Sequence, residues 1–272
     1  MSWKRNLRDA SDVLRRSRNP SELIKGLVPK QWLSRHVLND TTTSAHTLEA
    51  SEVAASLRRL RNLLKTQAIA LNGHVDYAGL RGSSTFAEMQ EVSAMLRSVD
   101  LGTLADDAIR IAFWTNIYNV LAIHGVLALE IRDSVMEIPS FFGTVAYDVG
   151  GFVVTLDEIE NGILRRNAPH PATGVPLFQE GDLRLSLCPS RVDPRIHAAL
   201  VCASTSCPPV AFYDAEHLDS QLDAATRGYI AADVLVDEAA RRVMLPITFR
   251  YYESDFGGPD GIWGFLLRYT EG

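Results

Sequence analysis

The stretch "ADDAIRIAFWTNIYNVLAIHGVLALEI" (residues 105–131) is the longest helical pattern in the chain and is apolar on most of its sides. A helix that is hydrophobic all round is a buried one, so this segment is expected at the centre of the fold. Upstream, "TLEASEVAASLRRLRNLLKTQAIAL" (47–71) repeats apolar residues at Val53, Leu57, Leu60, Leu63 and Leu64, the period of a helix burying one stripe. Glycines in "NGHVDYAGLRGS" (72–83) break it, and a further helix over 83–99 has Ser83 or Ser84 as its cap.

Downstream the texture changes. "TVAYDVGGFVVTL" (144–156) is two β-branched runs around Gly150-Gly151, a two-residue hairpin signal. Thr155 and Glu158 then stand at the spacing of a capping box ahead of "EIENGILRR". "DLRLSL" (182–187) alternates as a strand does, "RIHAALVCA" (195–203) fits a buried strand or a short helix, and "AEHLDSQLDAATRGYIAADV" (215–234) is helical. "VLVDEAARRVMLPITFRYY" (234–252) reads as two strands around a charged turn. Helices first and strands later predict an α+β fold, with a helical N-terminal half packed on a small, mainly antiparallel sheet.

The first forty residues differ from the rest. They carry Lys4, Arg5, Arg8, Arg15, Arg16, Arg18, Lys25, Lys30 and Arg35 against Asp9, Asp12, Glu22 and Asp40. Trp3, Leu7, Val13 and Leu14 fall at roughly helical spacing before a break at Asn19-Pro20, and Ser21 can open a second helix. The chain is therefore expected to divide into a basic helical extension (1–45) and an α+β domain (46–272), joined by the polar "NDTTTSAHT" from Asn39. Basic amphipathic helices can grip an acidic protein or a membrane surface, which makes residues 1–40 the expected partner site. A solvated face on a packed helix is the plainer account of the same pattern.

The net charge of −6 with 22% charged residues gives no overall pull toward nucleic acid, and none is expected as a partner. No apolar run reaches membrane-spanning length, and the basic start lacks the apolar core of a secretory signal. Three cysteines, an odd number in a chain of this length, argue against a disulfide framework and for a reducing cytoplasm. No phosphate-binding glycine motif occurs, and no cofactor is expected.

The polar residues cluster in a few blocks. "DPRIHAALVCASTSCPP" (193–209) holds His197, Cys202 and Cys207. A thiol becomes a nucleophile when a neighbour lowers its pKa, and His197 is the nearest candidate base. Cys207, just before the Pro208-Pro209 corner, is preferred to Cys202; both can equally be small buried hydrophobes. The spacing His-x4-Cys-x4-Cys is poor for structural zinc, and no metal is expected. The apolar helix carries Asn116, Asn119 and His124, and a buried amide or imidazole must be hydrogen-bonded. Such a cluster is either a structural network or the rear wall of a site. In a Cys/His/Asn arrangement the amide holds the imidazole in its working tautomer. On the following helix, Glu160 can orient a histidine or act as an acid, and Arg165 can grip a substrate carboxylate. "YYESDFG" offers Asp255 as a further carboxylate, though turn chemistry ahead of Gly257-Gly258 accounts for it.

Four blocks, "FWTNIYNVLAIH" (113–124), "LDEIENGILRR" (156–166), "DPRIHAALVCASTSCPP" (193–209) and "YYESDFG" (251–257), with "VDYAGL" (75–80) ahead of them, together resemble the DUF547 family. The resemblance covers about residues 75 to 270. It implies no reaction, because that family is named for having no assigned function; its members occur in bacteria, plants and animals, some fused to glutaredoxin or DEP domains. The chemistry therefore rests on the residues. They point to a cysteine-dependent hydrolase or acyltransferase acting on an amide, ester or thioester in a small molecule or peptide. Cys207 or Cys202 attacks, His197 is the base, Asn116 or Asn119 orients it, and Glu160, Arg165 and His124 line the pocket. The rival expectation is a non-catalytic interaction module whose polar blocks are structural.

Overall fold

The computed structural model describes residues 35–40, 47–63, 77–132, 134–200 and 211–270. The basic segment up to residue 34 and both Cys202 and Cys207 lie outside these, so the expectations placed on them are neither met nor refuted by the fold.

The apolar run becomes one helix of 22 residues, Asp107–Ala128 (α3). It starts where it does because the Asp106 side chain accepts from the Ile109 backbone N–H at 2.9 Å, satisfying a free donor of the first turn. Every residue from Ile111 to Leu127 is buried, which its all-round apolar sequence requires. By length and composition this helix could cross a membrane, but 94% of its apolar window is buried inside the protein. Helices α1 (Ala50–Leu63) and α2 (Ser84–Met95) pack on it, the latter capped by Ser83. Their Val53, Leu57, Leu60, Met89 and Val92 join Trp114, Ile117 and Leu121 of α3 in one core.

The main sheet has three strands. β4 (Val145–Val149) and β5 (Phe152–Thr155) form the expected hairpin, and β1 (His36–Val37) lies parallel to β4 on its other edge. Gly150 and Gly151 both have positive φ, 58° and 86°, the backbone that a two-residue hairpin turn demands. A Cβ on Gly150 would meet the Val99 carbonyl oxygen at 2.8 Å, so glycine is needed there twice over. Asn39 is buried rather than part of a loose polar connection. Its amide donates to Ser93 O and Asp148 O and accepts from Asp148 N, stitching residues 35–40 to the body. A two-residue parallel pair joins β2 (Leu48–Glu49) to β3 (Val99–Asp100).

After β5 the chain turns into a π-helix, Glu158–Leu164, through the capping box that the sequence announces. Thr155 N donates to Glu158 Oε2 and Glu158 N to Thr155 Oγ1. "DLRLSL" is a 3₁₀ turn, Leu183–Leu187, not a strand. Asp182 caps it by accepting from the Arg184 N–H and also holds the Arg184 guanidinium, so local hydrogen bonding overrides the alternation. "RIHAALVCA" opens with the short helix Ile196–Ala199. The C-terminal part consists of α4 (Leu218–Asp233), the hairpin of β6 (Leu235–Asp237) with β7 (Arg242–Met244), and α5 (Gly258–Thr270). Residues Ile247–Tyr251, expected within a strand, form a helical turn after Pro246. This part has its own small core of Ile230, Phe249, Phe256, Ile262, Leu266 and Tyr269. The fold is α+β, mostly helical, with sheets of two and three strands.

Candidate functional site

Three segments meet at one imidazole. His197 lies on the short helix Ile196–Ala199, its side chain 2% exposed. Its Nε2 stands 2.9 Å from Asp255 Oδ2. The ring stacks on Tyr252 with centroids 4.0 Å apart and planes 16° from parallel. On the other side, Nδ1 faces Glu160 Oε1 at 4.0 Å, too far for a direct hydrogen bond.

Asp255 is held before it holds the histidine. Arg165 Nε and Nη2 donate to its two oxygens at 2.5 and 2.9 Å, a bidentate pair that fixes the carboxylate plane. Burial pushes the Asp255 carboxyl up, but the hydrogen bonds from His197 and Arg165 and the Arg165 charge outweigh it and hold it at about 2. An ionised Asp255 accepts only, so the nitrogen that faces it, Nε2, carries a proton. The tautomer of the neutral ring is thus set by the fold.

The π-helix explains how Glu160 and Arg165 serve one site. In an α-helix, residues five apart point about 140° away from each other. Here the Arg165 N–H donates to Glu160 O at 2.8 Å, the i→i+5 bond of a π turn, which stacks the two residues instead. Gly162 is required inside this turn, because a Cβ there would lie 2.4 Å from the Phe178 ring. Glu160 accepts from the Tyr118 hydroxyl, and its carboxylate lies close enough to Tyr252 to act on that phenol. Burial, and then the Glu160 charge, push the Tyr252 phenol well above its ordinary value, so it stays a neutral donor. The segment before His197 is anchored by Arg195, which pairs with Asp193, Asp219 and Asp223 and ties it to α4.

Of the residues expected at one site, Glu160, Arg165 and His197 come together. Arg165 does not face a substrate. Its side chain is 1% exposed, and four of its five N–H groups bond Asp255, Asn161 and Pro169 O while its face lies on Tyr252. Asn116 is not the residue that orients His197. Its amide pairs with the Tyr213 backbone, donating to O at 2.7 Å and accepting from N at 2.8 Å. Asn119 donates to Ala199 O and Ala211 O, the two ends of the segment that carries Cys202 and Cys207. The orienting role expected of an amide falls to Asp255. His124 is not beside this cluster's Glu160 or Arg165 either. It lies in the main core against Phe86, bonded through Nδ1 to the Tyr147 hydroxyl, and burial lowers its pKa to about 4.

Sequence reasoning set Asp255 aside as a turn residue and missed Tyr252 and Tyr118. The first two sit in the "YYESDFG" block that contributes to the family resemblance, and Gly257 and Gly258 do both take the positive φ of a turn. The turn reading was true and incomplete. Cys188, the one described cysteine, has its thiol pushed up by burial and donates to Gly162 O, which makes it a structural group. Among the described residues no three His, Cys, Asp or Glu side chains are grouped to hold a metal ion.

Residues 103–230 match the family described as "Protein of unknown function, DUF547". No curated protein and no solved structure matches the chain. The matched span contains Glu160, Arg165 and His197, whereas Tyr252 and Asp255 follow it. The match falls within residues 75 to 270, the span over which the sequence blocks resemble that family.

Proposed function

We propose that the His197 cluster is the acid–base centre of a cysteine-dependent hydrolase or acyltransferase acting on an amide, ester or thioester. The observation that carries the reading is the ordered chain Arg165–Asp255–His197, which leaves Nδ1 as the nitrogen turned away from its anchor. A carboxylate that fixes the tautomer and steadies the imidazolium is the arrangement general-base catalysis uses. The thiol of Cys207, or of Cys202, gives its proton to Nδ1 as sulfur attacks the carbonyl carbon. The imidazolium returns that proton to the leaving amine, alcohol or thiol as its bond to carbon breaks. Water or an acceptor nucleophile then releases the acyl group by the same two transfers in reverse. Glu160 Oε1 lies 4.0 Å from Nδ1, on the side where that proton arrives. Asn119 supports the reading by tying Ala199 and Ala211, the residues flanking the cysteine segment, to the central helix. A reducing, cytoplasmic setting fits a working thiol.

The test is iodoacetamide labelling across pH, resolved for Cys188, Cys202 and Cys207 by peptide mapping, in the native chain and in His197→Ala. One cysteine that labels fast below pH 7 and slows in the variant identifies nucleophile and base. Uniformly slow labelling until unfolding would remove the thiol mechanism. It would leave the rival, an interaction module whose partner surface is the basic residues 1–40.

A further inference from the structure

Charge around His197 is unbalanced in one direction. Three carboxylates, Asp157, Glu160 and Asp255, stand near one guanidinium, Arg165. Arg165 is spent on Asp255 and sealed from solvent. Glu160 keeps 13% of its side chain exposed and Asp157 30%. Asp157 stands immediately before the π-helix that carries Glu160, three residues from it. Both act on Tyr252, whose phenol each of them pushes up after burial has done so. An ionised carboxylate offers about four acceptor positions. Glu160 uses one on the Tyr118 hydroxyl, so capacity remains on the side that faces His197 across 4.0 Å. Asp157 has His170 Nε2 at 3.6 Å.

From this imbalance we propose that the site takes a substrate bearing a cationic nitrogen, a protonated amine or amidine, received by Glu160 with Asp157 behind it, and that it rejects carboxylates. The proposal deepens the reading of the His197 cluster as the reacting site and names its substrate class. The two can fail separately: thiol labelling tests the nucleophile, and ligand binding tests the charge selectivity.

The experiment follows the His197 ring signals by NMR, assigned against His197→Asn, while the protein is titrated with butylammonium or with butyrate at matched ionic strength. Butylammonium should move the His197 signals saturably and butyrate should not. In Glu160→Gln the amine affinity should fall by about tenfold, the loss of one charge-assisted contact. Glu160→Asp, which keeps the charge, should retain most of it, and this separates lost charge from a disturbed fold. Equal or stronger binding of butyrate would overturn the proposal. So would amine binding that ignores Glu160→Gln, or a His197 signal that answers neither probe. Slow thiols together with selective amine binding would end the cysteine mechanism and leave the charge selectivity standing.

Discussion

His124 and His197 are both buried, and their surroundings make them different groups. His124 meets an aromatic edge and one phenol in the main core, and burial alone drives its pKa to about 4. A proton there has no carboxylate to meet it. His197 has Asp255 on one nitrogen, Glu160 beyond the other and an aromatic face beneath. Both rings are held rigidly. Only the second has a carboxylate near each of its nitrogens, and that sets it apart from a shaped piece of core.

The contrast breaks most sharply at Arg165. Removing it by Arg165→Ala leaves the Asp255 carboxylate buried with only the imidazole, and breaking a buried pair in this way costs about 3–5 kcal/mol. Chemical denaturation should show that loss, together with loss of any His197-dependent thiol reactivity. Asp255 adds a pH signature. Its folded pKa lies below the ordinary 3.8, so its stabilisation is present above that value and disappears as pH falls through about 2. A variant with unchanged stability would mean that the Asp255–Arg165 pair does not organise the site. By comparison His124→Phe leaves the buried Tyr147 hydroxyl without this partner, a cost of about 1–3 kcal/mol, and should leave thiol labelling intact.

His124 itself makes the second prediction. Its folded pKa of about 4 lies below the ordinary 6.5, so between these values the unfolded chain binds the proton more readily. Stability contributed by the neutral ring is therefore full above pH 6.5 and falls by about 3 kcal/mol on the way down to pH 4. Denaturation midpoints measured across that window should slope accordingly, and His124→Phe should flatten the slope. A slope unchanged in the variant would place the titration elsewhere.

Much of this could be read from the residues alone, and the parts that could not have definite causes. Hydrophobicity and periodicity announce the central helix, because burial on all sides leaves no other composition. Gly150-Gly151 and the Thr155–Glu158 box announce their turns, because those backbones need those residues. The π turn at 158–164 was hidden. Judged by α-helical geometry, Glu160 and Arg165 point apart, and only the i→i+5 bond stacks them. Asp255 was hidden for another reason: it is 90 residues from Arg165, and a local turn already accounted for it. The amides of Asn116 and Asn119 were recognised as needing partners, but the sequence does not say that backbone groups supply them.

Asn119 gives the third test. Asn119→Ala leaves the Ala199 and Ala211 carbonyls without their amide donor, at a cost of about 1–3 kcal/mol. The residues joined, Ala199 and Ala211, stand on either side of the cysteine segment, so labelling of Cys202 and Cys207 should also change. A stability loss with wholly unchanged labelling would make Asn119 a core residue of the same kind as His124.

The smallest effect belongs to an arginine pair that resembles the buried one only on paper. Arg35 donates to Glu158 Oε1 at 2.8 Å and to Val153 O, but its side chain is 44% exposed. Glu158 Oε1 also receives Arg184, and Oε2 accepts from Thr155 N, so the carboxylate stays satisfied when Arg35 is removed. Arg35→Ala should therefore cost no more than about 0.5–1 kcal/mol, and less at high salt. That the same charge pairing is worth several times more at Arg165 follows from what surrounds it: water replaces Arg35 at little cost and has no access to Asp255. A large effect of Arg35→Ala, insensitive to salt, would show that residues 35–40 brace the helix bearing Glu160. The His197 site would then depend on the sheet edge as well as on its own carboxylates.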